Sequence, residues 1–173
     1  MPWPGDRSLD GGLDEIPTPA PSGALWLCGK HLVGRDPQAA LARVGAPGVI
    51  VCLNEVHELI DRYPDYVHWL TDAHGRGAVW HPIPDLHAPD LDDAAVLAAD
   101  IADRLGRAEH VIVHCGAGIG RAGTIAAAAL MTMGVSRSAA LATVAAHRPM
   151  AGPEVGPQRD LLVALEQRLA QPL

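Results

Sequence analysis

Cys115 and Arg121 bracket a turn of five residues, three of them glycine, in His114-Cys115-Gly116-Ala117-Gly118-Ile119-Gly120-Arg121. A thiol and a guanidinium at the two ends of such a turn suit covalent chemistry on a small tetrahedral anion. Glycines let the backbone close around the ligand so that N–H groups converge on it. An apolar run, His110-Val111-Ile112-Val113-His114, precedes the turn, and an Ala-rich helical pattern from Ala122 follows it. The helix N-terminus adds positive potential at the same point. A Cys115 thiolate would be stabilised by those amides, by the helix dipole and by Arg121. The planar fork of Arg121 can grip two oxygens of a phosphoryl group, which lysine cannot do. A nucleotide P-loop is excluded, since the chain has no Gly-x4-Gly-Lys-Ser/Thr.

The elements that must position this turn follow from apolar runs and turn residues. Strands are expected at Ala24–Cys28, Gly48–Leu53, Ala78–Ile83 and His110–His114, the third near a sheet edge because it contains Pro82. Helices are expected from Asp36-Pro37 to about Gly45, over Glu55–Tyr63 and Asp65–His74 with a break at Pro64, and over Asp90–Arg107. Three more follow the turn, at about Ala122–Met133, Ser136–His147 and Pro157–Ala170. Strands alternating with helices predict a single α/β domain whose mostly parallel central sheet is flanked by helices on both faces. Residues 1–22, with Pro2, Pro4, Pro17, Pro19 and Pro21, read as a flexible Pro/Gly-rich arm, leaving the domain at 23–173.

The chain has 173 residues, enough to bury a core without disulfide or metal staples. Twenty acidic against thirteen basic residues give a net charge of −7, which repels nucleic acid and anionic membranes on average. The longest apolar stretch, Thr124–Val135, is shorter than the roughly 20 residues that span a bilayer. The first residues have neither the basic start nor the apolar run of a signal peptide. Cys28, Cys52 and Cys115 form no secreted framework, so a reducing cytoplasm is expected. No metal site is expected: His57-Glu58 lacks the second histidine of His-Glu-x-x-His, and no cysteines are paired.

The Cys-x5-Arg turn, with its preceding histidine, glycine spacing and following Gly123-Thr124, resembles the signature loop of the cysteine-dependent protein tyrosine and dual-specificity phosphatases. Trp80-His81-Pro82-Ile83-Pro84-Asp85 resembles the segment bearing the family's general acid, and Gly152 to Gln158 its late glutamine-bearing loop. The likeness spans about Leu25 to Leu169 and is nearest in style to the compact group around kinase-associated phosphatase. It implies a protein tyrosine phosphatase-like fold and phosphomonoester hydrolysis without metal or other cofactor. Cys115 would attack phosphorus and form a phosphocysteine. Arg121 and the amides of Gly116, Ala117, Gly118, Ile119 and Gly120 would bind the phosphoryl oxygens. Asp85 would protonate the leaving oxygen and then deprotonate water, with Asp90 the next candidate, though Asp90 also suits a helix cap. His114 would orient the cysteine and support its thiolate. Cys52 reads either as a small buried hydrophobe or as a reversible disulfide partner for Cys115.

Two departures from the family pattern fall on the second chemical step. The usual hydroxyl after the arginine is replaced by Ala122, and Glu154 stands where a water-positioning glutamine is common, with Gln158 four residues on. Slow hydrolysis of the intermediate is therefore expected unless Thr124 or a backbone amide compensates. The signature loop has no lysine, unlike phosphoinositide-directed relatives, and a phosphorylated protein is the expected partner. Phosphotyrosine, with phosphoserine and phosphothreonine admitted by a shallow pocket, is the expected group. Two alternatives stand beside this reading. One is a weakened phosphate-binding module; the other is a phosphatase of a small molecule such as an inositol phosphate.

Overall fold

Apolar runs with no polar alternation become strands covered on both faces. In the computed structural model, which describes Arg7 and residues 9–171, these are β2 (Leu25–Gly29), β3 (Gly48–Cys52) and β5 (His110–Cys115). With β1 (Leu13–Ile16) and β4 (Ala78–Trp80) they form one sheet in the order β1-β2-β5-β3-β4. All pairs are parallel except β1 with β2. The expected α/β architecture is therefore present, with β5, which leads into the Cys115 turn, at the centre.

Helices α4 (Leu91–Gly106), α5 (Gly120–Thr132), α6 (Arg137–His147) and α7 (Gly156–Leu169) cover one face, and α1 (Lys30–Arg35), α2 (Pro37–Val44) and α3 (Pro64–Ala73) the other. Every residue of α5 from Gly120 to Met131 is buried. Alanine suits that position, because its small side chain lets α4, α6 and α7 approach and carries the highest helix propensity. At Gly123 a Cβ would lie 2.2 Å from the Gly152 nitrogen, so only glycine lets the late loop reach the start of α5.

Three local expectations need correction, and one element is new. Residues 13–16 are not part of a flexible arm: they form the antiparallel edge strand β1, and Ile16 is buried in the core. Lys30–Arg35, for which the sequence predicts no element, is helix α1. Glu55–Tyr63 is not one helix but a 3-10 turn (Val56–Glu58) followed by turns up to Pro64. There the Glu58 carboxylate folds back on the Glu55 N–H at 2.8 Å. The third strand ends at Trp80 rather than Ile83, though His81 and Ile83 still donate to the Cys52 and Leu53 carbonyls at 2.9 and 3.0 Å. Pro82 between them has no N–H to give, which is why the regular ladder stops at this edge.

Candidate active site

Strand β5 ends at Cys115, and the chain turns for four residues before α5 begins. For its N–H groups to converge on one point, its carbonyls must point away and find donors behind it. They do. Gly116 O accepts from Lys30 N at 3.1 Å, and Ile119 O from Gly123 N and Gly152 N at 2.9 and 3.1 Å. Ala117 O and Gly118 O accept from Arg148 Nη2 and Nε, both at 2.8 Å. Gly120 O accepts from the Thr124 hydroxyl at 2.7 Å. Gly118 has φ +73°, and a Cβ there would strike the Cys28 carbonyl oxygen at 2.2 Å, so glycine is required. Among the described residues the N–H groups of Gly116 to Gly120 donate to no protein acceptor.

Beside the turn lies a hollow of about 410 Å³ lined by Cys115, Gly116, Ala117, Ile119, Gly120 and Arg121, together with Lys30, His31, Glu58, Asp85, Leu86 and Glu154. Of the sequence-derived candidates, Cys115, Arg121, Asp85 and Glu154 meet here. Gly118, His114 and Gln158 do not line it: Gly118 shapes the turn from behind, and the other two are buried supports. Asp90 lies outside it and caps α4 through the Asp93 N–H at 2.9 Å.

Arg121 is 4% exposed. Its Nη1 and Nη2 donate to the two Glu58 oxygens, each at 2.8 Å, and Nη1 also to Ile83 O at 2.7 Å. This end-on pairing fixes the plane of the guanidinium and leaves Nε and the second Nη2 hydrogen uncommitted to Glu58, in a residue that lines the hollow. Asp85 Oδ1 stands 3.2 Å from Nη2. Burial would raise the Glu58 carboxyl, but the Arg121 hydrogen bonds, with the Glu55 N–H, the Arg121 charge and Asn54, bring it down to about 2. Glu58 thus stays ionised and Arg121 cationic.

His114 is fully buried, and its Nε2 shares a 2.6 Å hydrogen bond with the Tyr66 hydroxyl. Burial pushes its protonation down to about 3, so it supports the turn as a neutral ring and not as a charge. Cys52 packs in the cluster on the α1–α3 side of the sheet and Cys115 in the cluster on the other. Burial raises the Cys52 thiol to about 12. Those two facts favour its reading as a buried hydrophobe.

The Asp85 loop is held differently. The Asp85 side chain is 70% exposed. Its Oδ1 accepts from Leu86 N at 3.0 Å, and its carbonyl meets His87 Nδ1 at 2.7 Å. Buried Gln158 joins this loop to the late one: its Oε1 accepts from Glu154 N at 2.8 Å and its Nε2 donates to His87 O at 3.2 Å. The Glu154 carboxylate packs against Gly120, where a Cβ would collide with it.

Glu58, Arg148 and Tyr66 were not anticipated as parts of the site. Glu58 was visible only as half of an absent metal motif, and no local pattern ties it to Arg121, 63 positions away. Arg148 follows α6 as an ordinary basic residue at a helix end.

A family model for the DSP-PTPase phosphatase domain of the Swiss Army Knife type (PTP-SAK) matches residues 27–160. The fold is similar to that of Tk-PTP in its active form, at 27% identity over 85% of this chain and 92% of that one, with a TM-score of 0.63. It is similar to kinase associated phosphatase carrying a serine for its catalytic cysteine, at 18% identity over 94% and 97%, with a TM-score of 0.73. PTPMT1 in complex with PI(5)P matches at 17% identity over 84% and 91%, with a TM-score of 0.63. The last two show likeness of fold alone. No curated protein sequence matches. The chain belongs to the dual-specificity and protein tyrosine family of cysteine-dependent phosphatases, and residues 27–160 carry its phosphatase domain.

Proposed function

We propose that the protein hydrolyses phosphomonoesters of phosphoproteins, phosphotyrosine first and phosphoserine or phosphothreonine as well, through a phosphocysteine on Cys115. The observation that carries this reading is the turn itself. Every carbonyl from Gly116 to Gly120 is hydrogen-bonded, which leaves the turn's N–H groups to serve an anion, and Cys115 and the Arg121 fork border the adjoining hollow. Such fixed donors stabilise charge as it spreads over the phosphoryl oxygens, without reorganising at the moment of reaction. Cys115 Sγ attacks phosphorus and the ester oxygen leaves with the proton of Asp85. The carboxylate then takes a proton from the water that hydrolyses the phosphocysteine.

The hollow's lining favours a monophosphate on protein over an inositol polyphosphate. It holds two full cations, Lys30 and Arg121, against three carboxylates, Glu58, Asp85 and Glu154. Several phosphates would meet uncompensated like charge there. Among the described residues no helix is long and apolar enough to cross a membrane. The three cysteines are free, which suits the reducing cytoplasm we propose for the protein. The second step is the slow one in this reading. Ala122 has no donor, and the Thr124 hydroxyl is committed to Gly120 O, so neither assists departure of the thiolate.

Hydrolysis of a phosphopeptide set and an inositol phosphate set, each by the native protein and by Cys115→Ser, tests the proposal. Turnover of phosphopeptides that Cys115→Ser lacks is expected. Preference for inositol phosphates would overturn the substrate class. Phosphate binding without turnover would make the protein a phosphate-binding module.

A further inference from the structure

Arg148 supplies the donors for two adjacent carbonyls of the Cys115 turn, those of Ala117 and Gly118. It is 2% exposed. A buried guanidinium needs a counter-charge, and leaving one unpaired is among the larger destabilising changes a protein can suffer. The carboxylate that meets it is Asp14, whose Oδ2 lies 2.7 Å from Arg148 Nη1. The same nitrogen lies 3.3 Å from Gly12 O and 3.4 Å from Leu27 O. Asp14 is itself gripped by both terminal nitrogens of Arg7. Burial pushes its carboxyl up, but Arg7 and Arg148 together hold it below the usual carboxylate range. It is therefore an anion lodged between two arginines.

We propose that Asp14 is a positioning residue for phosphate binding, acting through Arg148 on the carbonyls of Ala117 and Gly118, and that strand β1 is thereby part of the catalytic apparatus. The chain of contact is short and each link is polar and directional. Asp14 Oδ2 holds Nη1. Nη2 and Nε, on the other edge of the same rigid plane, hold the two carbonyls. Peptide planarity then fixes where the N–H groups of Gly118 and Ile119 point. A guanidinium cannot tilt at one edge without tilting at the other. The residue that sets the direction of these amides thus lies more than 100 positions before them, in a strand that pairs with β2 only.

The inference rests on the reading of the Cys115 turn as the phosphate site, and the test separates the two. Tungstate affinity and aryl phosphate turnover are measured for the native protein, Cys115→Ser, Asp14→Asn and Asp14→Glu. Glu15→Gln, exposed on the same strand, is the control. Native turnover that Cys115→Ser lacks upholds the site, and its absence overturns the site and not the role of Asp14 alone. With the site upheld, Asp14→Asn is expected to bind tungstate more weakly and to lose about 100-fold in kcat/KM, the scale of an ångström-sized displacement. Glu15→Gln is expected to match the native protein.

A residue that merely stabilised β1 would lower the melting temperature and leave tungstate affinity of the folded protein unchanged. That result for Asp14→Asn overturns the proposal. Should Asp14→Asn not fold, Asp14→Glu keeps the counter-charge while shifting the guanidinium by a methylene. An intermediate loss of tungstate affinity and kcat/KM is then expected, and native values would overturn the proposal. In the double variant Asp14→Asn/Arg148→Gln the buried charge is gone. Its kinetic loss should equal that of Arg148→Gln alone, because both residues act on the same carbonyls. A loss equal to the sum of two independent effects would also overturn it.

Discussion

The Cys115 turn and the Asp85 loop face each other across one hollow, and they are built in opposite ways. Behind the turn lie hydrogen-bonded groups held away from solvent: buried Arg148, Thr124 and His114 with Tyr66, and the partly buried Glu58 on Arg121. The Asp85 carboxylate is mostly in solvent, 3.2 Å from Arg121 Nη2, and its loop is tied to the late loop by the Gln158 bridge. The contrast suits the two tasks proposed for them. A fixed array of dipoles stabilises spreading charge best when it need not move. An acid that gives a proton to a leaving group and then takes one from water needs access to both, and loosely tied exposed loops supply that access.

The largest expected effect separates the two sides. Asp85→Asn should lower kcat on a poor leaving group by about 100- to 10,000-fold, the range of general acid catalysis, while tungstate affinity stays native. A parallel loss of tungstate affinity would show that the acid loop also builds the anion cradle. Glu58→Gln probes the opposite side. It frees the Arg121 fork, and both tungstate affinity and kcat/KM should fall, the latter by about 100-fold. A purely kcat effect would mean that Arg121 keeps its direction without Glu58.

Acid should strike the buried side first. The unfolded chain takes up a proton on His114 near its ordinary value of 6.5, whereas the folded one resists until about 3. Between those values the unfolded state binds more protons, so stability falls as pH drops, at a limiting slope of about 1.4 kcal/mol per pH unit for this group. Glu58 adds to the loss lower down, since its folded value of about 2 lies below the ordinary 4.5. Its contribution is present above 4.5 and disappears as pH falls through about 2. Urea unfolding at pH 7 and pH 5 should show the native protein weakening more than His114→Asn. Equal slopes would remove His114 as the cause.

Smallest is the bridge. Gln158→Leu removes two neutral hydrogen bonds between the acid and late loops, and kcat should drop about fivefold, the worth of roughly 1 kcal/mol, with tungstate affinity unchanged. An effect on tungstate alone would place Gln158 with the cradle instead.

The two sides also differed in how far the sequence revealed them. The strand, the turn and the helix that follow one another from His110 to Thr132 are contiguous, and they hold the glycines, cysteine and arginine of the proposed chemistry in one stretch. Asp85 was legible through its Trp-x-Pro-x-x-Asp context. Glu58, Arg148 and Asp14 were not, because each matters only through a partner 63, 30 or 134 positions away. The same reason hid β1. Four residues between Gly12 and Pro17 carry no periodicity of their own, and what orders them is pairing with β2 and the Asp14–Arg148 contact. The 3-10 turn at Val56–Glu58 was mistaken for helix because its apolar spacing is helical while its carboxylate is bound to Arg121 across the fold.

The most direct test of the account is rapid-quench hydrolysis of an aryl phosphate, with Cys115→Ser as the blank and Ala122→Ser alongside. A burst of about one phenol per enzyme followed by slow turnover is expected for the native protein, the fingerprint of an accumulating covalent intermediate, with faster steady turnover in Ala122→Ser. Phenol release no greater than the Cys115→Ser blank would contradict Cys115 as the nucleophile and, with it, the account of the site as an active phosphatase centre.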